Sequence, residues 1–433
     1  MNKLGALVLG LFTLSVVAAQ DASEYVVTVA SGIGAFGPEE PSININRKKT
    51  KHQVIGTNIN RLFVSHNGGK TWDKKDISSQ YGIWGDPVIA SNSNGDFFFF
   101  HLSWPGVHKQ EKDSWLDRMV IQKSEDFGET WPKDNFTGLN APKDQDKQWV
   151  NIDPETGKMH MTWTQFDEYD SKDVNDITVA MYSSSMDGET WSKAQRISTK
   201  FGNCLDLSQT LEGIIPAAGN GDKVHSVWML GDSLYYNDSN DDGKTWNVEK
   251  GIFKTPGWEF DVPGINRTNG FPSFLSVNEN GTDVLYLSWS DQTKSYDDTE
   301  VWNAMSKDGG KTWSEQKPLS STEQYSKGHQ FFSNMYRDSE KGTFYWLFYD
   351  RSAYDDHKTD IVLAWADTFE GEKKFIKLNK EPFTPKKEIF FGDYIQVDAH
   401  KGVVRPVWTE FINGNLVVKT ALLSYKKLNK LVR

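Results

Sequence analysis

One eight-residue pattern recurs along the chain and limits what it can fold into. Ser65-His-Asn-Gly-Gly-Lys-Thr-Trp72 returns as Ser124-Glu-Asp-Phe-Gly-Glu-Thr-Trp131 and as Ser184-Ser-Met-Asp-Gly-Glu-Thr-Trp191. It returns again as Ser239-Asn-Asp-Asp-Gly-Lys-Thr-Trp246 and Ser306-Lys-Asp-Gly-Gly-Lys-Thr-Trp313. The tryptophans are spaced by 59, 60, 55 and 67 residues, and a worn sixth copy is read at Ala366-Asp367 to Gly371 with Phe375. A period of this length marks an array of supersecondary units, each too small to bury its own apolar surface.

The chemistry of the pattern is local. An Asp or Asn side chain accepts backbone N–H bonds inside a tight turn, Gly takes the positive φ, and Trp fills the gap between neighbouring sheets. Asn67 replaces Asp in the first copy, and Met186 stands at the Asp position of the third, with Asp187 one place on. Each repeat holds four strand-like runs. In the fifth they are 271–277, 284–290, 300–306 and 316–320, and the second run tends to end in an aromatic, as at Trp163, Trp228, Trp289, Phe348 and Trp408. Aromatic residues make up 13% of the chain, with 17 Trp, and no long helical periodicity appears. The reading is an all-β fold: a β-propeller of four antiparallel strands per blade. Six boxes account for six blades. The three strands after them, 394–398, 403–409 and 416–422, together with the spare N-terminal run 25–30, predict a seventh blade closed by the N-terminal strand. A six-bladed ring is the alternative and would leave strands unused.

The pattern Ser-x-Asp-x-Gly-x-Thr-Trp resembles the Asp box, or bacterial neuraminidase repeat, of the sialidase-like propellers. That resemblance implies a glycan-active propeller whose boxes lie on the face away from the active site. It does not extend to the catalytic motifs. The Phe-Arg-Ile-Pro signature that supplies the first sialidase arginine is absent from the stretch Glu40 to Arg47 before the first box.

The bulk properties narrow the function. Lys3, the apolar run Leu4 to Val17 and the small residues Val17-Ala18-Ala19 read as a signal peptide over 1–19, leaving one propeller domain over 20–433 in a secreted, periplasmic or outer-surface location. A net charge of −11 argues against nucleic acid as a partner, and no apolar run is long enough to expect a transmembrane span. Cys204 is the only cysteine, so no intrachain disulfide is possible. A closed ring has no open sheet edge, which makes a monomer the expectation.

The working end of such a ring collects the starts of the innermost strands and the loops between second and third strands. The innermost starts carry Glu39-Glu40, Asp86, Asp146-Lys147, Glu212, Asn269, His329-Gln330 and Asp393-Tyr394. From these, Asp86, Glu212, Asp393 and Tyr394 are the candidate catalytic groups: Asp86 as acid or base, Tyr394 as a nucleophile tuned by Glu212. Trp84, Trp149, Arg267, His329, Gln330, Arg351 and Arg405 are candidate substrate contacts, the tryptophans for stacking and the arginines for an acidic sugar. No cofactor is expected, although the loop carboxylates Asp297 and Asp298, with their echo at Asp355 and Asp356, are of the type that binds Ca²⁺. Three functional readings follow: a glycoside hydrolase of sialidase-like type on an acidic glycan, a polysaccharide lyase using His329, Tyr394 and Arg351, and a propeller that binds glycan or protein without turnover.

Overall fold

The computed structural model describes residues 21–33, 37–104, 115–320, 325 and 327–432. Over them the chain forms seven antiparallel sheets arranged as propeller blades, six of four strands and one whose four strands are joined by a short fifth, Leu423–Ser424. The signal peptide reading, 1–19, lies outside the described residues. Innermost strands run over Ser42–Ile45, Gly85–Ser91, Asp144–Ile152, Glu212–Ala218, Ser273–Glu279, Gln330–Arg337 and Gln396–His400, which number blades 1 to 7.

The apolar residues explain the ring. Second strands are almost continuously apolar, as in the Phe-Phe-Phe-Phe-His-Leu of Phe97–Leu102, and fully buried. Alternate side chains of a strand leave opposite faces of its sheet. Phe97 and Phe99 pack with Val54, Leu62 and Val64 of blade 1. Phe98 and Phe100 pack with Met159, Met161 and Trp163 of blade 3. The same holds around the circle, and each of the seven apolar clusters bridges one pair of adjacent blades.

The N-terminal strand Val26–Gly32 pairs antiparallel with Asn415–Ala421, from Val26 opposite Ala421 to Gly32 opposite Leu416, with a bulge between Thr28 and Ala30. Blade 7 therefore takes three strands from the end of the chain and one from its start, which is why it carries no box. A short C-terminal helix, Tyr425–Leu431, follows; the Ser424 hydroxyl caps it, and Leu428 and Leu431 bury against blades 6 and 7.

Every box joins the third and fourth strands of one blade. Asp126, for example, accepts from the Thr130 backbone N–H at 2.9 Å and its hydroxyl at 2.6 Å, while the Ser124 hydroxyl accepts from the Gly128 N–H at 2.8 Å. Asn67 does the same work, accepting from the Thr71 N–H at 3.0 Å. The third box is one residue shorter than the others. Its serine is Ser185 rather than Ser184, and Asp187 is its Asp, accepting from the Thr190 N–H at 2.7 Å. In the worn sixth copy the residue that fills the gap toward blade 5 is Phe369, packed on Tyr286 and Phe344, whereas Phe375 stacks on Tyr325.

The box glycines sit against the preceding blade. Gly243 has φ +78°, and a Cβ placed there would lie 2.5 Å from the Tyr182 ring. Gly243→Ala is expected to destabilise the fold by about 2–4 kcal/mol, combining left-handed backbone strain with overpacking. Urea denaturation checks this, and Gly221→Ala, with nothing within 4 Å of its Cβ, isolates the backbone contribution.

Candidate functional site

The innermost strands start irregularly, and this builds the site. Register shifts occur between Gly85 and Val88, Asp146 and Trp149, Glu212 and Ile215, and Phe331 and Asn334. At these bulges, and at the corresponding point of blade 1, one residue adopts positive φ: Asp86 (50°), Lys147 (53°), Gly213 (66°), Phe332 (49°) and Glu40 (53°). A bulge of this kind re-aims a side chain, and non-glycine residues held at positive φ cluster where the surrounding structure imposes it.

The re-aimed groups meet on the axis. The Lys147 ammonium lies 2.9 Å from Asp393, 3.2 Å from Asp86 and 3.7 Å from Glu40. Arg267 from blade 5 forks onto Asp393, with its Nε 3.0 Å from one carboxylate oxygen and its Nη2 on the other, and its Nη1 lies 2.5 Å from Asp206. Asn58 donates to Glu40 and accepts from the Asp86 backbone N–H at 2.9 Å, and Glu40 accepts from the Asp393 N–H at 3.1 Å. Six blades thus contribute to one buried network.

Charge in the network is unevenly held. Although burial opposes ionisation, Arg267 and Lys147 hold the Asp393 carboxyl well below the usual range. Burial, reinforced by Asp86, pushes Glu40 upward. Burial and the nearby Asp86 push Asp146 up to about 7, and burial pushes Glu39 up to about 8. Burial, with Asp206 and Asp146 adding to it, also raises Glu212. Burial favours the protonated form of these carboxyls because neutralising them costs less than burying their charge.

Above the network, toward blades 1 to 3, opens a cavity of about 300 Å³. Asp86, Asp146, Lys147 and Arg267 lie on its floor, and Trp84, Trp115 and Tyr169 wall it. The wall is continuous: Trp84 and Trp115 meet edge to face at 5.2 Å, and Trp115 and Tyr169 at 5.1 Å. The Tyr169 hydroxyl donates to Asp206 at 2.7 Å. A larger, more open groove of about 770 Å³ lies between the rims of blades 3 and 4, but its acidic residues are engaged elsewhere: Asp176 accepts from Ser171, and Asp232 pairs with Lys254 at 2.8 Å.

The expected site residues divide. Asp86, Asp393, Arg267 and Trp84 come together at the cavity or just beneath it. Glu212 is close below, fully buried, accepting from the Thr164 hydroxyl at 3.1 Å. Tyr394 packs edge to face on Trp149 at 5.2 Å, and the two line a small void further down the axis rather than the cavity. His329 and Gln330 belong to blade 6 and stand apart. The His329 ring contacts the Thr299 hydroxyl at 2.9 Å, and burial with Arg351 nearby lowers it to about 4. Gln330 bonds to the Lys327 carbonyl and to Asp350. Arg351 is buried, donating to Thr359 and the Pro263 carbonyl. Arg405, expected at the working end, sits at the opposite face, where it donates to the carbonyl of Gly68 in the first box at 2.8 Å. Its strand crosses the blade, and the side chain leaves it near the box end to satisfy carbonyls. The loop carboxylates are exposed or salt-bridged, Asp298 lying 3.6 Å from Lys294 and Asp356 3.0 Å from Lys358. Among the described residues no three His, Cys, Asp or Glu side chains gather as a metal-ligand group.

Lys147 is the central residue of this network that sequence reasoning ranked too low. It stands in the stretch Asp146-Lys147-Gln148-Trp149, but nothing local says that a lysine there turns inward. Trp115, Tyr169 and Asp206 come from loops whose course the strand pattern does not define.

Residues 63–74 match the sequence profile of the BNR/Asp-box repeat. The chain carries BNR/Asp-box repeats. No curated protein matches it over its sequence. Among solved structures, this Asp-box propeller is similar to an ulvan lyase of a new polysaccharide lyase family, at TM-score 0.54 and 10% identity over 93% of this chain and 98% of that one. It is also similar to a mutant of the NanB sialidase from Streptococcus pneumoniae, at TM-score 0.49 and 10% identity over 94% and 98% of the two chains. A third is the α-L-arabinanase of Penicillium chrysogenum complexed with arabinobiose, at TM-score 0.47 and 13% identity over 80% and 100%. At 10% identity the property shared with the lyase is the fold.

Lys147→Met is expected to cost about 3–5 kcal/mol at neutral pH, because it strands Asp393 and Asp86 as buried charges with one cation fewer. The deficit should shrink as pH falls and the carboxyls take up protons, so denaturation compared at pH 5 and pH 8 checks both magnitude and sign.

Proposed function

We propose that the protein is a glycoside hydrolase whose reaction centre is the cavity between blades 1 and 3. The observation that carries this reading is the placement of two carboxyl groups, Asp86 and Asp146, on adjacent blades and on the floor of one aromatic-walled cavity. Glycoside hydrolysis needs an acid and a base on either side of one bond, and two carboxyls on one cavity floor supply the groups. Asp146, raised to about 7 by burial and by Asp86, is the acid. It gives its proton to the leaving oxygen as the bond from that oxygen to the anomeric carbon breaks. Asp86, ion-paired with Lys147 at 3.2 Å, takes a proton from the water that adds to the carbon. A final transfer to Asp146 restores the starting state. Trp84, Trp115 and Tyr169 offer ring faces to the sugar.

The charge distribution favours an uncharged sugar at the point of cleavage. Lys147 and Arg267 are already committed to Asp393, Asp206 and Asp86, and neither Arg351 nor Arg405 reaches the cavity. Among the described residues no sialidase-type arginine cluster lines the cavity, which favours a neutral over an acidic substrate. The groups an elimination reaction would need, His329 with Arg351 and Tyr394, are divided between blade 6 and the lower axis, which favours hydrolysis over lyase chemistry.

The test is a panel of chromogenic neutral glycosides. Turnover of at least one is expected, with Asp86→Asn and Asp146→Asn each lowering kcat by about 10²–10⁴-fold, the range for loss of a general acid or base. Because the Asp146 proton is lost as pH rises through about 7, kcat/KM should fall above that pH. The falling limb should disappear from the residual activity of Asp146→Asn. Full activity in both variants on a substrate that the wild type cleaves would overturn the assignment, and absence of turnover alongside tight glycan binding would favour a non-catalytic role.

A further inference from the structure

The aromatic wall does not end at the cavity. Trp104 continues it outward, its ring 5.4 Å from Trp84 and 41% exposed. The Trp104 backbone N–H donates to the Tyr81 carbonyl at 2.8 Å, which ties this rim to a second aromatic group. There Tyr81 and Phe136 meet edge to face at 5.3 Å, and the Arg118 guanidinium lies over both rings at 4.5 and 4.7 Å. Phe136 is 38% exposed. The series Tyr169, Trp115, Trp84, Trp104 therefore leads from the cavity wall to the surface of blade 2 in steps of 5.1, 5.2 and 5.4 Å, with Tyr81 and Phe136 on the same rim.

This surface is costly unless something covers it. Large rings left in water at a rim mark a binding surface when they are contiguous, and Trp104 continues directly from the cavity through Trp84. Its charge is also cancelled: Arg118 is held by Asp117 at 2.6 Å, so the track presents ring faces without a net positive field. An anionic partner gains nothing there. A chain of uncharged sugars does, because the C–H face of each unit can lie on a ring while its hydroxyls remain in water.

We infer that the substrate is a neutral polysaccharide chain laid along this track, with only one of its bonds reaching Asp86 and Asp146. The inference rests on the hydrolase reading and adds that recognition extends over several sugars rather than one terminal unit. The geometry predicts a rising kcat/KM with chain length and binding of polymer that depends on Trp104.

Affinity electrophoresis tests it, with xylan, laminarin, linear arabinan and galactomannan each cast in a native gel, and 4-nitrophenyl monoglycosides assayed in parallel. At least one polymer should retard the wild-type protein. Trp104→Ala should bind that polymer about tenfold more weakly, the change expected from losing one ring contact, and should keep the wild-type melting temperature since the ring is at the rim. Phe136→Ala serves as a second variant, with a smaller loss of the same sign. Equal retardation of wild type and Trp104→Ala overturns the track. Hydrolysis of a monoglycoside with no retardation by any polymer also overturns it while leaving the hydrolase intact. If no polymer is bound and no glycoside is cleaved, both readings fall together.

Discussion

The structure depends on one requirement: every sheet must bury both of its faces. A four-stranded sheet with apolar residues on both sides cannot satisfy this alone, and neighbouring sheets satisfy it for one another only when the series closes. Phe97 to Phe100 makes the case within a single strand, sending odd-numbered rings to blade 1 and even-numbered rings to blade 3. Without closure, blade 1 and blade 7 would each expose a face. The pairing of Val26–Gly32 with Asn415–Ala421 prevents this, and Ile43, Ile55 and Phe63 of blade 1 then bury against Val407 and Val418 of blade 7.

Closure also creates the site. Radial packing forces the innermost strands toward one axis, where polar groups from different blades must share a narrow, poorly hydrated space. The ring accommodates them by pairing: one lysine lies close to three carboxyl groups, one arginine bridges two, and burial pushes Glu40 and Glu212 toward their protonated forms. A group of acids in unlike protonation states is then a by-product of where the strands begin. In an open surface cleft the same residues would be solvated and would titrate together.

Much of this was legible in the chain. The boxes gave the blade count and the face on which turns lie, since each is a local hydrogen-bonded motif confined to eight residues. The absence of a box from the last blade indicated the N-terminal closing strand. The inner-strand starts single out Asp86, Glu212 and Asp393, whereas Asp146 stands there only as one member of the polar ring. The short third box misled by one residue, because a deletion shifts the motif without disturbing its Trp. Arg405 misled more seriously: it stands near the start of its blade's second strand, which is the box end of the ring, and its side chain satisfies carbonyls there.

The sequence by itself determined the architecture, because a box turn and a strand's apolar period are decided by neighbours within a few residues. Only the tertiary structure decided which polar residues meet. The bulges at Asp86 and Lys147 turn side chains in ways that no local pattern encodes, and the loops bearing Trp115, Tyr169 and Asp206 take their course from the blades they cross. The physical reason is range: turns and strands are fixed by short-range sterics and hydrogen bonding, whereas a buried ion network exists only once residues from six blades have been brought together and cut off from water.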